Sequence, residues 1–318
     1  MSLPLFYSPN YNISLPLLSS LHPFDGCKYE KALALINAES EANIELKVVS
    51  EPLSQDWLLS VHTQPYLDSL HQSKTLARVI EMPLLRLLPA GVLNKYFMKP
   101  MRFAAEGTCL AVQEALSKKA STLNLGGGYH HAFAGHGEGF CAFADVAIAI
   151  NRARKQHLLS PDDNIWVIDL DAHRGNGFAD WAMEDPNIHI FDMYNMQAYP
   201  GLHPDEQESR WPFLVPLKQG TDTEGYLSRL ESEFSDFIRQ SPLPKLVIYN
   251  AGTDIIAQDK LGGLQVSIDG ARKRDQWLVD QIQSLDVPMV TVTSGGYSEN
   301  SYRLIADLAI YQAKKVTS

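Results

Sequence analysis

Ile165-Trp166-Val167-Ile168-Asp169-Leu170-Asp171-Ala172-His173-Arg174-Gly175-Asn176-Gly177 begins as an apolar run and closes on carboxylates, an imidazole and two glycines. A strand that is apolar on both sides is one covered on both faces, as in a parallel sheet. Leu246-Val247-Ile248-Tyr249, followed by Asn250-Ala251-Gly252-Thr253-Asp254, repeats the pattern. Working outward, β-rich runs stand at 46–49, 122–125, 165–169, 188–191, 246–249 and 289–292. Helix-like stretches lie between them at 29–38, 65–71, 103–118, 146–157, 225–239, 268–284 and 301–314. In 103–118, Leu110, Ala111 and Ala115 keep one side small and apolar. Strands alternating with helices predict βαβ crossovers. The expected fold is a single-domain, three-layer α/β/α sandwich over 1–318 with a mostly parallel central sheet.

The chain's 318 residues, 45% hydrophobic and 20% charged, are enough for a large core, and enzymes of this class often keep such a length in one domain. A net charge of −10 with no Lys/Arg cluster excludes nucleic acid as an expected partner and tolerates a cationic one. Cys27, Cys109 and Cys141 have no paired spacing, which predicts a reduced, cytoplasmic setting. No secretory signal and no membrane span are expected, because no apolar stretch approaches the roughly 18–20 residues a span needs. Segment 81–101 is apolar but interrupted by Pro83, Pro89 and Pro100, so one straight helix is excluded there. It is either a packed surface excursion or a lip beside a binding site or subunit contact, and a homo-oligomer stays open.

In open α/β sheets, ligands collect beyond the carboxyl ends of the strands. Asp169, Asp171 and His173 alternate onto one side there. Buried together, such groups need a compensating cation. Asp171, His173 and Asp254 offer three ligands and leave a position for water, the open arrangement of a catalytic metal site. N-capping is the ordinary alternative for each residue alone. The run Gly126-Gly127-Gly128-Tyr129-His130-His131 lets backbone approach another surface closely, then supplies two groups that titrate near neutrality. Ser294-Gly295-Gly296-Tyr297 sets a tyrosine on a glycine hinge, where its hydroxyl can face developing negative charge.

Taken in order, these segments, with Gly139-Phe140-Cys141 and Asp259-Lys260-Leu261-Gly262-Gly263-Leu264, resemble the histone deacetylase family of zinc-dependent acyl-lysine hydrolases. The resemblance runs from about Pro23 to Leu308 and implies an arginase/deacetylase-like fold. Gly139-Phe140-Cys141-Ala142-Phe143-Ala144-Asp145, Asn176 and Ser294 are most similar to the class IV branch and its bacterial relatives. The resemblance implies Asp171, His173 and Asp254 as metal ligands, His131 as general base and acid, and His130 as its electrostatic neighbour. It implies Tyr297 as the oxyanion-stabilising hydroxyl and Asp169 as the carboxylate that orients His130 and helps bind a monovalent cation, K+. Phe140 and Tyr199 match the walls of an acyl-lysine tunnel, Leu261 its lip, and Gly139 and Gly296 substrate-binding backbone.

The activity implied is hydrolysis of the Nε-acyl-lysine amide in a peptide or protein, by deacetylation or long-chain deacylation. Zn2+ is the implied cofactor, and Fe2+ suits the same donors. Two departures stand out. Asn176 occupies a position where many members have aspartate, which predicts a lower working pKa for His131. Ser294 replaces a glycine, which bears on Tyr297 placement and acyl length. Amidohydrolysis of acetylated polyamines or other small acylated amines keeps the same chemistry. A two-manganese arginase needs more carboxylates than this set. A non-catalytic acyl-lysine binding protein needs a lost ligand, base or tyrosine, and all are present.

Overall fold

Eight short apolar segments become strands: β1 (Leu3–Tyr7), β2 (Ile44–Val48), β3 (Thr122–Asn124), β4 (Ile165–Asp169), β5 (Ile188–Asn195), β6 (Phe213–Leu217), β7 (Leu246–Asn250) and β8 (Met289–Val292). The computed structural model describes residues 2–14, 24–39, 42–201 and 210–317. Pro23, where the family resemblance begins, lies outside them. The strands form one sheet in the order β2-β1-β3-β8-β7-β4-β5-β6. Every neighbouring pair is parallel. Each residue of β3, β4, β7 and β8 is buried, so both faces of the sheet centre are covered.

Two strands escaped the sequence reading, and proline explains both. Pro216 sits in β6, an edge strand where a missing N–H leaves no ladder gap on the open side. Pro4 sits in β1, but β3 pairs only with Leu5 and Phe6, so its lost donor costs no bond there.

The helices begin with side-chain caps where polar residues allow it. Ser267 accepts from Gly270 N before the helix Ile268–Gln283, and Asp222 from Gly225 N before Thr223–Gln240. The helix Lys99–Lys118 packs on β1, β3 and β8. It buries Ala111 and Ala115 as expected, while Leu110 is only half-buried.

Segment 81–101 is a run of short turns. A 3₁₀ turn Pro83–Leu87, one α turn Ala90–Leu93 and a π turn Asn94–Met98 lead into Lys99–Lys118. Pro83 and Pro89 start turns, where their fixed φ is favourable and no donor is needed, whereas Pro100 follows the π turn directly, in the first turn of Lys99–Lys118. Leu84 and Leu87 are exposed, at 70% and 79%, while Leu85, Leu93 and Phe97 anchor the segment in the core. Glu81 and Met101, its two ends, both line the cavity described next, while the turns between them do not.

Register brings the ends of the central strands level. Asn124 pairs with Val292, Val292 with Asn250, Asn250 with Asp169, and Asp169 with Asp192. The loops that follow therefore leave one edge of the sheet side by side.

Candidate active site

The loop after β3 is held by a buried carboxylate. Asp145 accepts from Gly128 N at 2.9 Å, Tyr129 N at 2.8 Å and Thr108 Oγ1 at 2.6 Å. Gly127 and Gly128 both have φ +80°, and a Cβ on Gly128 would lie 2.2 Å from Asn250 Oδ1. Only glycine fits that approach. The loop thereby delivers His130 and His131, whose ring centroids are 4.1 Å apart. His130 Nδ1 pairs with Asp169 Oδ2 at 2.8 Å, and Asn250 Nδ2 donates to Asp169 Oδ1 at 2.9 Å. His131 Nδ1 pairs with Asn176 Oδ1 at 2.7 Å.

The loops after β4 and β7 meet beside them. Among the described residues, Asp171, His173 and Asp254 bring one ligand atom each within 4.8 Å of one another, all buried. His173 Nδ1 lies 2.9 Å from Asp171 Oδ1 and 3.1 Å from Asp254 Oδ2. Asp171 Oδ2 also accepts from Ser294 Oγ and Gly295 N, each at 3.0 Å, which ties the cluster to the loop after β8. Arg274, fully buried, braces the two ligand loops by donating to Leu170 O at 2.9 Å and Gly252 O at 2.7 Å. Asp259 accepts from Tyr297 N at 2.6 Å and Leu261 N at 2.9 Å, so it fixes both residues.

The electrostatics follow from burial among fixed charges. Burial pushes Asp254 up to about 7, reinforced by Asp171. Burial opposes charge on His130, but Asp169 and Asp171 outweigh it and raise it to about 9. For His173, burial is likewise overcome by hydrogen bonds to Asp171 and Asp254, which raise it well above the ordinary imidazole range. Burial and the charges of His130 and His173 hold His131 well below that range. Burial, then Asp254 and Asp171, keep Tyr297 a hydroxyl far above pH 10.

Two buried carboxylates around one imidazole demand positive charge, and their oxygens with His173 Nδ1 match the donor set of a divalent metal. A second pair of buried carboxylates, Asp169 and Asp192, lies beside His130. Asp192, opposite Asp169 in register, has one oxygen on Gly175 N at 2.9 Å and the other buried without a partner. That orphaned oxygen beside Asp169 fits a monovalent ion.

A cavity open to solvent joins these groups. His130, His131, Asp171, His173 and Tyr297 line it, with Gly139, Phe140, Tyr199 and Leu261. Phe140 is buried with φ +61°, a left-handed conformation rare for an aromatic residue, and stacks on Phe24 at 5.4 Å. Tyr199 is 40% exposed and meets His131 edge-on at 5.2 Å. Gly296 does not line the cavity. Its φ of +136° packs it against Thr253 and Ser301, where a Cβ would lie 2.0 Å from Thr253 Oγ1.

Sequence reasoning assigned no role to Asp145, Asp192, Arg274, Glu138 or Lys28. Asp145 opens a helix and so carried a capping signal. Lys28 carried none: it is fully buried, donates to Ser294 O at 2.9 Å, and is lowered to about 8 by burial against the nearby carboxylates.

A profile of the Histone deacetylase domain matches residues 22–313. The chain belongs to the histone deacetylase family. Histone deacetylase 2 of Arabidopsis thaliana is 38% identical over 95% of this chain and 76% of its own. A probable deacetylase of Archaeoglobus fulgidus is 25% identical over 93% of this chain and 82% of its own. The fold matches a solved structure described as the HDA15 HD domain, with a TM-score of 0.75 and 18% identity over 99% of this chain and 91% of that one. As a histone deacetylase-family protein, the chain is a hydrolase with an arginase/deacetylase-like fold, and the buried Asp171, His173 and Asp254 could hold the metal on which such enzymes typically depend. Among the described residues, no helix is long and apolar enough to cross a membrane.

Proposed function

We propose that this chain hydrolyses the amide bond of Nε-acyl-lysine in peptides or proteins. The observation that carries this is the convergence of Asp171, His173 and Asp254 in one buried cluster, two of whose members, Asp171 and His173, line a cavity together with His131 and Tyr297. Asp171, His173 and Asp254 hold a divalent ion, zinc in this reading, with ferrous iron suited to the same donors. When bound, that ion supplies Lewis acidity to the acyl carbonyl and to water. His131, held below its ordinary range, is neutral at pH 7 and free to take a proton from the attacking water. It then returns the proton to the departing lysine amine. His130, raised to about 9 and paired with Asp169, keeps positive charge beside the reaction. Tyr297, still protonated, donates to the oxyanion. Phe140 and Tyr199 flank the aliphatic stem and hold it in line, with Leu261 at the rim. Asp169 and Asp192 would hold a monovalent cation, K+ in this reading, whose charge would offset theirs.

Ile13, Phe24 and Met101 add apolar lining to the cavity, which is compatible with acyl groups longer than acetyl. The three free cysteines support a reducing, cytoplasmic setting, and the charge of −10 argues against nucleic acid.

Metal analysis of the purified protein, with an assay panel of acetyl-, octanoyl- and myristoyl-lysine peptides beside acetylated polyamines, tests this. One divalent ion per chain, lost in Asp254→Ala, with peptide hydrolysis strongest for the longer acyl groups is the expected result. Turnover of polyamines alone would move the substrate to small acylated amines. No bound metal and no hydrolysis would remove the proposal.

A further inference from the structure

Neutral Asn176 stands against His131, and its amide is held from the far side by a carboxylate. Asn176 Nδ2 donates to Glu138 Oε1 at 2.9 Å, and Gly177 N donates to Asn176 Oδ1 at 3.0 Å. With its nitrogen committed to Glu138, the amide presents only its oxygen to His131 Nδ1, 2.7 Å away. An amide oxygen cannot donate, so Nδ1 must carry the proton and Nε2 must carry the lone pair. A flipped amide would set its carbonyl against a carboxylate and its NH2 against an N–H. Glu138 is itself fixed at the start of a tight turn: Cys141 N donates to its carbonyl at 2.7 Å, and its second oxygen lies 3.7 Å from His136 Nε2. Next to it, Gly139 abuts the His131 ring so closely that a Cβ would lie 2.4 Å from Cδ2.

We infer that Glu138 is a positioning residue for the hydrolysis: through the Asn176 amide it holds His131 as the Nδ1–H tautomer, the one whose Nε2 can accept a proton. The inference rests on the base role proposed for His131. An aspartate at position 176 would fix the tautomer directly. Here an asparagine and an outer glutamate do so in series, which keeps formal charge one amide further from the ring.

The test combines a spectroscopic and a kinetic measurement on the protein as purified with its metal. Ring 15N spectra of histidine-labelled protein, with the His131 signals assigned by their loss in His131→Gln, report the tautomer. The native protein should show Nδ1–H. Glu138→Leu should show a mixture, with kcat down roughly 10- to 100-fold and KM within about twofold, a fraction of what a fully wrong tautomer costs because Gly177 N still favours the native amide. Glu138→Gln, whose carbonyl still accepts, should restore the tautomer and most of kcat. An unchanged tautomer in Glu138→Leu overturns the inference, whether kcat holds or falls together with the melting temperature. A changed tautomer in a protein whose native form cleaves no acyl-lysine peptide would retain the hold on His131 and remove its proposed base role instead.

Discussion

Replacing Asn176 by aspartate puts a second carboxylate against Glu138. The present separation of Asn176 Nδ2 and Glu138 Oε1 is 2.9 Å. Two unit charges at that distance repel by about 6 kcal/mol at an effective dielectric of about 20. That is an upper bound, because the Glu138 side chain is 28% exposed and can turn toward water. A residual coupling of about 1–3 kcal/mol is expected, within the range measured for residues in one hydrogen-bond network. Urea unfolding of the native protein, Asn176→Asp, Glu138→Gln and the double variant closes the cycle. Asn176→Asp alone should be the least stable. The double variant should recover that coupling, since a glutamine at 138 can donate where the glutamate repelled. In the pH dependence of kcat/KM, the same Asn176→Asp change should move the limb belonging to His131 upward, because a carboxylate favours the imidazolium. Additivity within about 0.5 kcal/mol would refute the Glu138–Asn176 link, and with it the positioning of His131 through that amide.

Tyr297→Phe should lower kcat by roughly 10²–10³ with KM little changed, by analogy with deletion of an oxyanion donor, and near-normal turnover would remove the hydroxyl from the mechanism. Asp145→Ala orphans the amides of Gly128 and Tyr129, at about 1–3 kcal/mol each, while Thr108 Oγ1 keeps Ala104 O and Asn124 Nδ2 as partners. Urea unfolding should therefore show a loss of at least about 2 kcal/mol, and a loss under about 1 kcal/mol would contradict the buried geometry. His62 donates from Nδ1 to Phe133 O and accepts from Ala144 N at Nε2, each at 3.0 Å, so its folded form is neutral. Burial lowers its pKa to about 4. Its contribution is complete above about pH 6.5 and falls away as pH drops towards 4, because the unfolded chain then binds the extra proton. Between pH 7 and 4.5 the native protein should lose about 2–3 kcal/mol more stability than His62→Gln, and equal losses would refute this.

What the sequence made legible was local. β4 and β7 read as strands because burial on both faces leaves an unbroken apolar signal, and their polar ends then stood out against it. Asp171 and His173 lie two residues apart but beyond the end of β4, in a bend, so strand alternation pointed to their pairing without being what produces it. β1 and β6 were hidden because Pro4 and Pro216 count against a strand until the neighbours are known. The supporting contacts were hidden for another reason. Glu138 reaches Asn176 across 38 residues, and Arg274 reaches Leu170 across 104. Both depend on where backbone turns bring distant loops, as at Gly139 and Phe140, whose left-handed conformations leave no periodic trace.

The strand order has a consequence for how the protein is made. Among the described residues, β8 alone joins β3 to β7, so the half-sheet β2-β1-β3 and the half-sheet β7-β4-β5-β6 share no ladder until the last strand arrives. During synthesis both halves present a bare apolar edge, a template for adhesion to other chains. The same docking event brings in Tyr297 beside His131 and Asp254. A nascent chain is therefore most prone to stick to its neighbours before this site is assembled, and a single late insertion ends both conditions.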